Sequence, residues 1–119
     1  MRALLPTTAL LASLALSALA ATHAWGEDKQ APMGDALAKE TFVKANTAYE
    51  SEQYTKAVTL YRSLLNSGYE SGPLYYNLGN AELRAGSLGR SIAAYREATS
   101  LLPRDGDVAA NLKYARDST

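Results

Sequence analysis

From residue 35 onward the apolar positions recur at helical spacing, with no run of strand-like alternation. Leu37, Phe42, Ala45, Ala48 and Tyr49 share one face of a segment from Asp35 to about Ser51, with Asp35 placed to cap it. Ser51-Glu52-Gln53 reads as a turn, and Thr55 is placed to cap a second helix. That helix carries Ala57, Val58, Leu60, Tyr61, Leu64 and Leu65 and ends at Gly68. Pro73 suits the first turn of a third helix, where its missing N–H costs nothing. Leu74, Tyr75, Leu78, Ala81 and Leu83 follow on that helix, and Gly86 closes it. A fourth helix holds Leu88, Ile92, Tyr95, Ala98, Leu101 and Leu102 and stops at Pro103. Asp105 or Gly106 opens the last, from Val108 to Arg116. The pattern predicts an all-α domain over 35–118.

The second pair of helices repeats the first. Ala57 and Ser91, Tyr61 and Tyr95, Tyr54 and Leu88, Ala45 and Gly79, Asn46 and Asn80, and Phe42 and Tyr76 are each separated by 34 residues. Asn77-Leu78 recurs as Asn111-Leu112 and Ala81 as Ala115. A helix hairpin of this length cannot bury its apolar face alone and stacks on a neighbour. The repeats fall at about 38–71 and 72–105, and the terminal helix at about 106–116 shields the exposed end. Small residues at Ala45, Gly79, Ala57 and Ser91 let paired helices approach, while Tyr61 and Tyr95 fill the space between hairpins.

Upstream, residues 1–24 have the three parts of a signal peptide. Arg2 supplies the charge, Ala9 to Leu19 the apolar run, and small residues allow cleavage after Ala20 or Ala24. The alternative is an uncleaved segment anchoring the chain in the inner membrane. The expected location is the bacterial periplasm, reached behind a flexible leader at 25–34. No cysteine is present, which excludes a lipid-modified cysteine, disulfides and thiolate metal sites.

Other chemistry is scarce. Lys+Arg and Asp+Glu balance at 12 each, giving no case for nucleic acid or an anionic membrane as partner. The single histidine, His23, lies in the signal segment, so an exported chain has no imidazole for acid–base or metal chemistry. No paired carboxylates, Gly-rich phosphate loop or H-E-x-x-H stands in the sequence, and Gly79 and Gly86 are accounted for by helix crossing and helix termination. The expectation is a non-catalytic chain without metal or cofactor.

Tyr75-x-x-Leu78-Gly79, followed by Ser91, Tyr95, Ala98 and Pro103, resembles the tetratricopeptide repeat in every spacing. Tyr75 and Ser91 are mild departures. Glu82, where an aromatic is usual, is a stronger one and is expected to loosen packing there. In the first repeat Thr41 and Lys44 replace the aromatic and the leucine, while Ala45, Ala57 and Tyr61 keep the frame. The resemblance implies a right-handed superhelix of two hairpins plus a capping helix. More narrowly, the signal segment and GYESGPLYYNLGNAELRAG resemble the exported tetratricopeptide proteins of bacterial Bat (aerotolerance) operons. That likeness implies a place in a cell-envelope or stress-tolerance complex. Because those proteins often continue into a transmembrane segment and the chain stops at Thr119, it is expected to be a shortened relative or a lone array.

The resemblance also implies a concave groove, lined by the first helix of each pair, that binds a protein or peptide. On it Asn46 and Asn80 form one row and Asn77 and Asn111 another, with Tyr49, Tyr76 and Arg84 beside them. An asparagine amide offers a donor and an acceptor that match a peptide backbone, and tyrosine and arginine are common interface anchors. The plainer account is that these asparagines bridge helices within and between repeats. The carboxylate clamp of chaperone-binding relatives is not expected, because Phe42 stands where its first lysine belongs. Packing is the default for the tyrosines, with Tyr69, Tyr75 and Tyr114 expected half exposed, while Arg90, Arg96 and Arg104 are expected to be solvated. The alternative to a groove-binding adaptor is an assembly element whose unshielded end stacks on a second copy or on another array.

Overall fold

The computed structural model describes residues 33–119. The expected signal segment, His23 and the leader as far as residue 32 lie outside the described residues. Over the described span the protein is all-α, with α1 (Asp35–Glu50), α2 (Tyr54–Asn66), α3 (Gly72–Arg84), α4 (Leu88–Leu101) and α5 (Gly106–Asp117). Connections of a few residues make each helix double back on the one before. Consecutive helices pack on one another, and α3 also touches α1 and α5. Among the described residues no helix is long and apolar enough to cross a membrane.

Helix ends follow local chemistry. Gly68 (φ 89°) and Gly86 (φ 84°) close α2 and α3 in the left-handed region, where a Cβ is strained. The Ser71 hydroxyl accepts from the backbone N–H of Leu74, with Pro73 in the first turn. The Asp105 carboxylate accepts from the N–H groups of Asp107 and Val108 at 2.9 and 3.1 Å. Two expected caps are corrected. Gly34 occupies the N-cap of α1, and Asp35, the first helical residue, turns its carboxylate to accept from the Tyr69 hydroxyl at 2.9 Å. Likewise α2 starts at Tyr54 after Gln53, leaving Thr55 inside the helix.

The core is built from small residues set against two tyrosines. Ala45, Ala57, Ala81, Ser91, Tyr95, Ala98 and Ala115 are completely buried, and Tyr61 nearly so. A Cβ built on Gly79 would fall 2.6 Å from the Tyr95 ring, so this position tolerates no side chain at that approach. Two leucines assigned to apolar faces are instead exposed, Leu37 at 51% and Leu101 at 48%. Leu37 belongs to α1, which among the described helices has only α2 and α3 against it. At the end of α4 it is Leu102 that turns inward, onto Gly72, leaving Leu101 outside.

Glu82 is the largest correction. Its side chain is buried inside the fold, and the Arg62 guanidinium from α2 donates to its carboxylate. The position is filled by an ion pair and is not loosely packed. Of the tyrosines expected half exposed, Tyr69 and Tyr75 are so, whereas Tyr114 is 64% exposed.

Candidate functional site

The 34-residue period reappears as a repeated hydrogen-bond ladder. Tyr61 on α2 donates its hydroxyl proton to Oδ1 of Asn46 on α1 at 2.5 Å, and Asn77 Nδ2 on α3 donates to the same oxygen at 3.3 Å. One repeat later, Tyr95 on α4 donates to Asn80 Oδ1 at 2.6 Å, and Asn111 Nδ2 on α5 donates to it at 3.0 Å. Asn111 Nδ2 also reaches the Tyr76 hydroxyl at 3.1 Å. Each ladder ties one hairpin to the first helix of the next. Small residues at the crossings bring the helices close enough for a tyrosine ring to pass through the core and meet an asparagine on the far side.

The ladder uses only half of each amide. Among the described residues, no intramolecular hydrogen bond reaches Nδ2 of Asn46 or Asn80, or Oδ1 of Asn77 or Asn111. None of these atoms is buried without a partner. Asn46, Asn77 and Asn80 line a small polar cavity of about 230 Å³ with Tyr49, Glu50 and Tyr61. One turn back along α1, Ala38, Phe42 and Val43 meet Leu64, Tyr69 and Leu74 around a larger apolar cavity of about 600 Å³. The two cavities follow one another along the seam between α1 and α3. The seam therefore has a polar centre and an apolar end.

Burial pushes the Tyr61 phenol from 10.0 up to about 12, with the nearby Tyr49 and Glu50 adding to it and the Asn77 amide opposing. Burial likewise pushes Tyr95 from 10.0 up to about 12, aided by Tyr76 and Tyr49 and opposed by Ser91 and Asn111. A raised folded value means that the neutral phenol is favoured in the fold. The stabilisation is whole below pH 10 and is lost as pH rises toward 12. The denaturant midpoint is expected to fall across that window. In a Tyr61→Phe, Tyr95→Phe variant the fall should be clearly shallower, and an equal fall would show that the two phenols are not its source.

Of the residues proposed from sequence, Asn46, Tyr49, Asn77 and Asn80 come together around the polar cavity. Tyr76 and Asn111 adjoin it through the second ladder. Arg84 does not line it. Its guanidinium lies 4.7 Å from the centroid of the Tyr54 ring, which in turn packs edge-on against Tyr49 at 5.3 Å. Tyr61 and Glu50 were not proposed but line the cavity. Their signals were present: Glu50 is one helical turn beyond Asn46, and the Asn46–Tyr61 separation recurs as Asn80–Tyr95. The default packing role holds for the Tyr61 ring, but its hydroxyl reaches the cavity wall. Among the described residues no cluster of three or more His, Asp or Glu side chains is arranged to hold a metal. No family model matches the chain, and no curated protein is significantly similar to it.

Proposed function

We propose that this chain is an exported tetratricopeptide-type adaptor that holds an extended peptide or protein segment along the α1–α3 seam and performs no chemistry itself. The observation that carries the proposal is the repeated ladder, which fixes four amides in place and leaves a donor or acceptor of each without an intramolecular partner among the described residues. Amides held in this way suit a peptide backbone, whose N–H and C=O need the complementary partners. Because the ladder already orders these side chains, little rotamer entropy remains to be lost on binding. The repeat spacing and the identity of Tyr61 and Tyr95 as ladder donors support the tetratricopeptide assignment. Periplasmic location rests on the pattern of residues 1–24, and a Bat-type envelope complex on the sequence resemblance.

The test separates binding from folding. Asn46→Asp and Asn80→Asp keep the oxygen that accepts from tyrosine and from the next asparagine, and replace only the Nδ2 donor. Peptides selected from a random library on the wild-type chain should bind the double variant about tenfold or more weaker, the effect of losing one or two hydrogen bonds. Unchanged affinity with an unchanged melting curve would remove the seam as the binding site.

A further inference from the structure

The apolar cavity at the end of the seam is too large to be a packing defect. At about 600 Å³ it has room for an aromatic side chain, and Phe42, Leu64 and Leu74 give it an apolar lining. Val43 on its edge is 61% exposed, an apolar surface left open on an otherwise polar helix face. The described chain begins at this cavity. Tyr69, one of its lining residues, shares its hydroxyl proton between the Met33 carbonyl at 2.7 Å and the Asp35 carboxylate at 2.9 Å. The Thr41 hydroxyl, which donates to the Leu37 carbonyl at 2.8 Å, lies 3.8 Å from the Met33 sulfur, and Met33 packs on the core. Met33 is therefore tethered at the cavity wall.

The leader offers one candidate occupant. Between residues 25 and 32 the sequence is Trp-Gly-Glu-Asp-Lys-Gln-Ala-Pro, in which Trp25 is the single large apolar side chain and the only tryptophan of the protein. Eight residues reach at most about 26–29 Å, so Trp25 is held within a short radius of the cavity. A tether of this length gives a local concentration in about the millimolar range, enough for a weak contact to be occupied. The chemistry also matches. An indole has an apolar body for Phe42, Leu64 and Leu74 and one N–H that needs an acceptor, and the exposed Asp35 and Glu70 carboxylates stand among the lining residues.

We propose that this cavity takes the Trp25 indole of the chain's own leader. The docking itself does not depend on the seam binding a peptide, and Asn46→Asp is expected to leave it intact.

Trp25 is its own reporter. In the full chain its emission should lie at shorter wavelength, and its quenching by iodide should be severalfold weaker, than in the urea-unfolded chain. Val43→Asp, at an exposed position, should return both to the unfolded values while helical circular dichroism is kept. Shielding that Val43→Asp leaves unchanged overturns the proposal, because it would come from elsewhere. The absence of cysteine allows a second test, which does not depend on that variant folding. Gly26→Cys with Lys39→Cys should form an intramolecular disulfide on mild oxidation, and Gly26→Cys with Ala110→Cys should not. Failure of the first pair, equal closure of both, or closure only between two chains as concentration rises overturns the proposal, the last because a second copy would then be the occupant.

Discussion

Arg62→Met is expected to lower stability by about 3 kcal/mol, because it leaves the Glu82 carboxylate without its partner inside the fold. The Glu82 side chain is 2% exposed and that of Arg62 41%. The acid therefore cannot turn to water when the guanidinium is removed. Breaking a buried pair from one side typically costs about 3–5 kcal/mol, and the half-exposed arginine places this pair at the lower end. The pair itself is a weak source of net stability. Arg62 Nε is buried without a hydrogen-bond partner, and desolvation of both charges offsets much of their attraction. Arg62→Met combined with Glu82→Leu should therefore recover to within about 1 kcal/mol of the wild type or exceed it. Urea denaturation of the three proteins measures both effects. A single variant as stable as the wild type, or a double variant no better than the single, would show that the unpaired carboxylate is not what destabilises.

Gly79→Ala is expected to destabilise by about 2 kcal/mol, although alanine is the better helix former by about 1 kcal/mol. The added methyl would lie 2.6 Å from both Cδ1 and Cε1 of Tyr95, and the ring has no room to retreat. Tyr95 is completely buried, and its hydroxyl is tied to Asn80, the residue next to Gly79. Moving the ring away therefore strains the ladder that it anchors. The control is Gly89→Ala in α4, where a Cβ meets nothing within 4 Å. That change should be neutral or stabilise by about 0.5 kcal/mol, since only propensity and unfolded-state entropy act. Thermal melting of the two variants in opposite directions is the expected result. If Gly79→Ala also stabilises, the close approach of α3 and α4 is not a tight crossing.

Each half of the ladder was readable as a residue type and not as a role. Asn46 and Asn80 stand at matching positions of the repeat, so their shared environment followed from the period. The sequence offered two accounts of them, bridging helices or lining a groove. In the structure Asn46 both bridges helices, its oxygen accepting from Tyr61 and Asn77, and lines the polar cavity. That double role depends on the angle at which α1, α2 and α3 cross, which no single helix encodes. Arg84, which the resemblance sets beside the groove, lies over the Tyr54 ring of α2, a contact between helices that the spacing along α3 does not encode.

The sequence by itself determined the all-α class, the five helices and their period, because apolar spacing, glycine closers and proline stops act within a few residues of one another. It also picked out Ala45, Ala57, Gly79 and Ser91, all of which are buried. Only the tertiary structure decided that Glu82 pairs with Arg62 from another helix, that Leu102 and not Leu101 turns inward, and that the seam has a polar centre and an open apolar end. Each of these depends on atoms far apart in the chain meeting at a few ångströms, and that distance is set by how the helices pack.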